Sequence, residues 1–198
     1  MFHRIFRSAI AALACCVPLW AAAHTGADAG SQHAIGFLDG LLHPLTGADH
    51  LAAMLAVGLW SALTARRLWL APLAFAGMLL VGALAGLAGL GIPAVEPVIA
   101  ASVLVLGLLV ASRTALPAIG AAALVGGFAL FHGVAHGAEL GTAGVVWWPL
   151  AGMLLATAGL HLAGLAFGLA LRRGNPWGPR VAGGLVGLFG AALLLRMV

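Results

Sequence analysis

Residues 116–140 read LPAIGAAALVGGFALFHGVAHGAEL, and from 116 to 131 no side chain ionises. At about 1.5 Å per residue the run is long enough to cross a hydrocarbon core of about 30 Å. Its apolar positions do not alternate, which argues against a barrel strand. Backbone groups in lipid must be satisfied within the segment, so the run is expected to be a transmembrane helix. Its last third carries His132, His136 and Glu139. The two histidines are four apart, so they share a face with about 6 Å of rise between them, and Glu139 extends that face. Two imidazoles and a carboxylate on one stripe form a half-site for a divalent transition metal. Gly133 and Gly137 leave space for another helix to close over it.

The rest of the chain has the same character. Of 198 residues, 63% are hydrophobic and 7% are charged, and neither Lys nor Tyr occurs. A soluble domain carries about 25% charged residues. So few charges cannot cover a water-facing surface, so lipid must solvate much of the molecule. The net charge of +4 comes from dispersed Arg, which form no basic face for nucleic acid. Six apolar segments are expected near 34–63, 68–91, 97–112, 116–140, 145–171 and 179–197. The third is short, and the first and fifth are long enough to tilt or break. The fold class expected is therefore all-α, a polytopic membrane bundle.

Arg66 and Arg67, then Arg113, then Arg172, Arg173 and Arg180 mark alternate connections between these segments, whereas 91–97 and 140–146 contain no Arg. Basic loops stay cytoplasmic, so the mature N-terminus is expected in the periplasm; Arg196 is the exception. Residues 1–23 agree with this. Arg4 and Arg7, a short apolar stretch and Ala21-Ala22-Ala23 read as a secretory signal peptide cleaved after Ala23. A short uncleaved anchor and a lipoprotein site at Cys15 fit less well. Cys15 and Cys16 both lie in that segment, so residues 24–198, the six-helix transporter domain, would hold no thiol ligand.

The first apolar segment carries Asp39, then His43-Pro44-Leu45-Thr46-Gly47-Ala48-Asp49-His50. Ionisable residues in a membrane helix point to function by default. On a straight helix His43 and His50 would lie about 10 Å apart, too far for one ion. Pro44 removes a backbone donor and Gly47 loosens the next turn, so a break is expected there that draws His43, Asp49 and His50 together. Interrupted helices are a recurring transporter device. Segments one and four run in opposite directions, with their motifs at matching depth in the outer half of the bilayer. Each also opens a trio of segments, which is consistent with a 3+3 inverted repeat. His24, His33, Asp39 and His161 form a secondary tier of metal candidates. For His161 a satisfied hydrogen-bonding role is an equal reading. His24, His33 and Asp28 also read as ordinary polar residues of a solvated segment. Glu96 reads as a helix-start residue. Glycines four apart, Gly82/Gly86, Gly164/Gly168 and Gly183/Gly187, read as close-packing positions.

His-Pro-x-x-Gly-x-Asp-His in the first segment, with Phe-His-Gly-x-Ala-His-Gly-x-Glu in the fourth, resembles the HupE/UreJ family of nickel/cobalt permeases. The resemblance covers essentially the whole mature chain. It implies uptake of Ni2+ or Co2+ across the bacterial inner membrane, typically for hydrogenase, urease or cobalamin. Carried over by position, the metal residues are His43, Asp49, His50, His132, His136 and Glu139.

The function expected is a non-enzymatic carrier that passes the ion between helices one and four, with no prosthetic group. Imidazole binds metal in its neutral form, so uptake should weaken as pH falls through the imidazole range. No nucleotide-binding loop is present, so this chain itself does not use ATP. The partners expected are the divalent ion and the lipid bilayer, not nucleic acid; a homo-oligomer is compatible with the sequence, and metalloenzymes are served only indirectly. Two alternatives have other chemistry. A bis-His haem cytochrome would show a Soret band, although carboxylates beside the histidines suit a divalent ion better. An intramembrane zinc hydrolase with Glu139 or Asp49 as base would turn over a lipid or an amide.

Overall fold

The computed structural model describes residues 36–140 and 145–197. The signal segment with Cys15 and Cys16, and likewise His24, Asp28 and His33, lie outside the described residues. Seven helices and no strand occur among the described residues: α1 (Phe37–Thr46), α2 (Ala48–Thr64), α3 (Leu70–Leu87), α4 (Val95–Ser112), α5 (Ala118–Leu140), α6 (Trp147–Arg172) and α7 (Trp177–Leu195). The all-helical expectation holds. Helices α3 to α7 are each long and apolar enough to cross a membrane. The third expected segment is longer than its hydropathy suggested. It begins at Val95 and runs 18 residues, because Glu96 and Pro97 sit in the first turn of α4, where neither needs an intrahelical donor.

The first expected segment divides in two. Pro44 lies inside α1, and Gly47 is extended (φ −78°, ψ 106°) between the C-terminus of α1 and the N-terminus of α2. The expected break is therefore present at Gly47. One hydrogen bond reaches back from Gly47 N to His43 O (3.1 Å), and another runs forward from Leu51 N to Gly47 O (2.9 Å). The chain bends without fraying. A β-carbon at Gly47 would stand 3.3 Å from both Asp49 Oδ1 and His50 Nδ1. The missing side chain thus makes room for the Asp49–His50 pair.

Three helix pairings build the bundle: α3 with α5, α4 with α7, and α6 with both α1 and α2. The α3–α5 contact is backbone on backbone. A β-carbon on Gly82 would meet Leu130 O, and one on Gly133 would meet Leu79 O. Small residues allow such approach where lipid gives no hydrophobic drive to pack. Gly133 and Gly137 therefore seat α3, and the adjoining His132 and His136 face inward toward α1 and α2. Phe75, Leu79 and Ala83 of α3 are fully buried in the core, with Met54 and Val57 of α2.

The outer surface is apolar: Leu73, Val81, Ile119, Leu155 and Leu188 are exposed. Such a surface fits hydrocarbon and not water. Exposed Trp69 and Trp177 lie at one end of the bundle near Arg66, Arg67 and Arg173, and exposed Trp147 and Trp148 begin α6 at the other. Tryptophan at both ends is the pattern of a membrane-spanning protein anchored at its two interfaces. At the Arg-bearing end, Arg172 donates to Ala62 O (3.1 Å), capping the C-terminal carbonyls of α2 with a cation.

Candidate metal centre

The bend at Gly47 carries His43 and His50 onto one side of the α1–α2 unit, with ring centroids 6.3 Å apart. Helix α5 supplies the facing pair. His136 lies 4.7 Å from His43 and 4.3 Å from His50, and His132 lies 4.7 Å from His50, centroid to centroid. Four imidazoles from three helices thus form one continuous file. Glu139 stands at one end of it: Oε2 is 3.2 Å from His43 Nε2 and 3.7 Å from His136 Nδ1. His43, His136 and Glu139 each place one ligand atom within 4.8 Å of the others. Donors sharing an ion at about 2.1 Å per bond stand about 3–4 Å apart. A small contraction would bring this trio onto one ion.

The two ends of the file differ in burial, with His50 at 9% exposure between the more deeply buried His136 and His132. The Glu139 side chain is 52% exposed and that of His43 34%, whereas His136 is at 2% and His132 at 0%. The cluster therefore opens at the Glu139 end and closes at His132.

Hydrogen bonds fix which nitrogens are available. Ser102 Oγ donates its proton to Ile99 O (2.6 Å), so at His132 Nε2 (3.0 Å) it must accept. His132 is then protonated on Nε2 and presents a bare Nδ1, which is buried and has no hydrogen-bond partner. Asp49 Oδ1 performs the same task for His50, accepting from both its backbone N–H (2.8 Å) and Nδ1 (2.9 Å). His50 Nε2 is left buried and without a hydrogen bond, as are both ring nitrogens of His136. An unmade hydrogen bond on a buried polar atom costs about 1–3 kcal/mol. Several such atoms gathered in one cluster form a set of nitrogen donors of the kind that can ligate a transition-metal cation. The carboxylate–imidazole and hydroxyl–imidazole contacts are the outer-shell arrangement that orients metal-binding histidines.

Of the residues expected at the site, His43, His50, His132, His136 and Glu139 converge, and Asp49 joins them through His50. Asp39 stays apart. Its carboxylate accepts from Gly36 N (2.7 Å) and caps α1. His161 of α6 is also separate, 5.1 Å from the ring of Phe75. Glu96 sits in the first turn of α4, as expected of a helix-start residue. Sequence reasoning missed Ser102. Its signal was a hydroxyl set in the otherwise apolar run 97–111.

The family described as HupE / UreJ protein matches residues 11–193. Protein HupE of Rhizobium leguminosarum bv. viciae is 46% identical over 190 residues, covering 94% of this chain and 95% of that protein. No solved structure matches the chain.

Proposed function

Because the chain belongs to the HupE/UreJ family, we propose that it is a permease carrying Ni2+ or Co2+ across the bacterial inner membrane. The observation that carries this reading is the file of four imidazoles ending at Glu139, with buried ring nitrogens that lack hydrogen-bond partners. His43, His136 and Glu139 take the ion at the open end. His50 and His132, oriented by Asp49 and Ser102, receive it deeper in the bundle. His136 touches both groups, so it can exchange one ion between them by turning its ring.

On this reading α1 and α2 together count as one interrupted span, giving six after a cleaved signal peptide. The Arg-bearing end faces the cytoplasm and the Glu139 end the periplasm. The helix pairings support a 3+3 inverted repeat. Exchanging the trio α1–α2, α3, α4 with the trio α5, α6, α7 turns the α3–α5 pair into the α6 contact with α1–α2, and returns α4–α7 to itself.

Imidazole alone suits several metals, so the choice of nickel or cobalt rests on the family. A haem plate has no place between rings 4.3–4.7 Å apart, which disfavours a cytochrome. Nickel uptake into a nickel-starved host, with cobalt and zinc as competitors, tests the proposal. His50→Ala and His132→Ala should each reduce uptake to near background. Wild-type uptake by both variants would sink the site.

A further inference from the structure

Beyond the cluster, the polar file does not end; it is interrupted. Past His132 lies the ring of Phe75, 5.6 Å away, and past Phe75 lies His161, 5.1 Å away. Phe75 is fully buried, and its ring separates two imidazoles on different helices. His161 is 3% exposed, and its Nε2 has no hydrogen-bond partner. Thr157, four residues earlier on α6, is fully buried, and its hydroxyl has no partner either. Residues four apart on a helix share a face about 6 Å apart. A membrane helix threonine ordinarily returns its hydroxyl to a backbone carbonyl one turn earlier, as Thr64 does to Trp60 O (2.8 Å). Thr157 does not. Two unpartnered polar groups therefore share one stripe of α6 in an apolar core, where leucine would pack without that cost.

We propose that His161 and Thr157 form a second, inner station for the divalent transition-metal ion, walled off from the four-histidine cluster by the ring of Phe75. This rests on the reading of that cluster as the transport site. His161 Nε2 supplies a borderline nitrogen ligand, and Thr157 supplies a neutral oxygen or holds a ligand water. A station with one imidazole and no carboxylate binds more weakly than the cluster, as a release site must. Phe75 contacts both imidazoles, tilted against His132 and near-perpendicular to His161, so displacement of one ring joins or parts the two stations. At rest it keeps water and small cations from a continuous path.

The test is Ni2+ and Co2+ transport into proteoliposomes, with ion binding to the purified protein measured alongside. His161→Leu should lower Vmax at least tenfold, with KM within twofold of wild type. It should also reduce the number of Ni2+ bound at saturation from two to one, with the tighter Kd unchanged. His161→Gln, which keeps a ligand atom, should recover part of the rate. Phe75→Leu, an apolar replacement whose folding is checked by its melting temperature in detergent, should raise Vmax several-fold at constant KM. Wild-type Vmax in His161→Leu, or an unchanged rate in Phe75→Leu, would overturn the inner station. His136→Ala separates the two ideas. If it also transports normally, the cluster itself is wrong; if it is inactive while His161→Leu is normal, only the inner station fails.

Discussion

His136 combines deep burial with close imidazole neighbours. It is buried, touches two other imidazoles, and neither ring nitrogen makes a hydrogen bond, the nearest carboxylate oxygen being Glu139 Oε2 at 3.7 Å from Nδ1. A side chain kept for packing would not be left so. His136→Leu should therefore abolish uptake while leaving thermal stability in detergent unchanged, or raising it by about 1 kcal/mol as the unsatisfied atoms disappear. A large fall in melting temperature would show that the imidazole supports the fold. Ser102 contacts the cluster through His132 Nε2 (3.0 Å). Ser102→Ala frees His132 to adopt either tautomer, and loss of such an outer-shell partner costs about 10–100-fold in metal affinity. Isothermal titration with Ni2+ should show that loss, and Ser102→Thr should restore most of it. Both histidines were legible in the sequence, because ionisable groups stand out in an apolar run. Ser102 was not, since a lone serine in a membrane helix ordinarily bonds its own backbone. Ser102 does this too, and its second contact is visible only when α4 meets α5.

Among the elements, α1 and α2 matter most. Their junction holds no left-handed residue, and what bends it is a proline without a donor followed by an extended glycine. Pro44→Ala with Gly47→Ala restores the donor and adds a β-carbon against the Asp49–His50 pair. The restored helix would carry His43 and His50 about 10 Å apart. Uptake should fall at least tenfold in the double variant, although every ligand remains. The visible absorption of bound Co2+ should shift as the ligand set changes. An unchanged Co2+ spectrum with normal uptake would show that the bend is dispensable. Here the sequence was informative in kind, because Pro44 and Gly47, the second and fifth residues of the His43–His50 motif, have a known mechanical effect on a helix. The direction of the bend was not legible. It depends on α6, whose Pro149 and Gly152 backbone lies against Gly40.

At the scale of the whole molecule, the distribution of Arg predicts an orientation that can be tested directly. With Cys15 and Cys16 replaced, a cysteine at Gly91 should react with an impermeant maleimide in intact spheroplasts, and one at Arg113 only after permeabilisation. The reverse pattern would place the open end of the cluster in the cytoplasm and make the protein an exporter by geometry. The sequence by itself determined that the chain is helical and membrane-embedded, and which residues of apolar segments one and four are chemically costly in lipid. Those conclusions follow from local quantities: the length of apolar runs, the 3.6-residue period and the scarcity of charge. Only the tertiary structure decided that the two motifs meet, that Glu139 lies at the open end and His132 at the closed one, and that Phe75 stands between His132 and His161. The physical reason is that helix pairing here is set by which glycine-lined backbones fit closest, Gly82 and Gly86 against Gly133 and Gly137 above all. Glycines four apart occur in several helices of the sequence, and none of them names its partner.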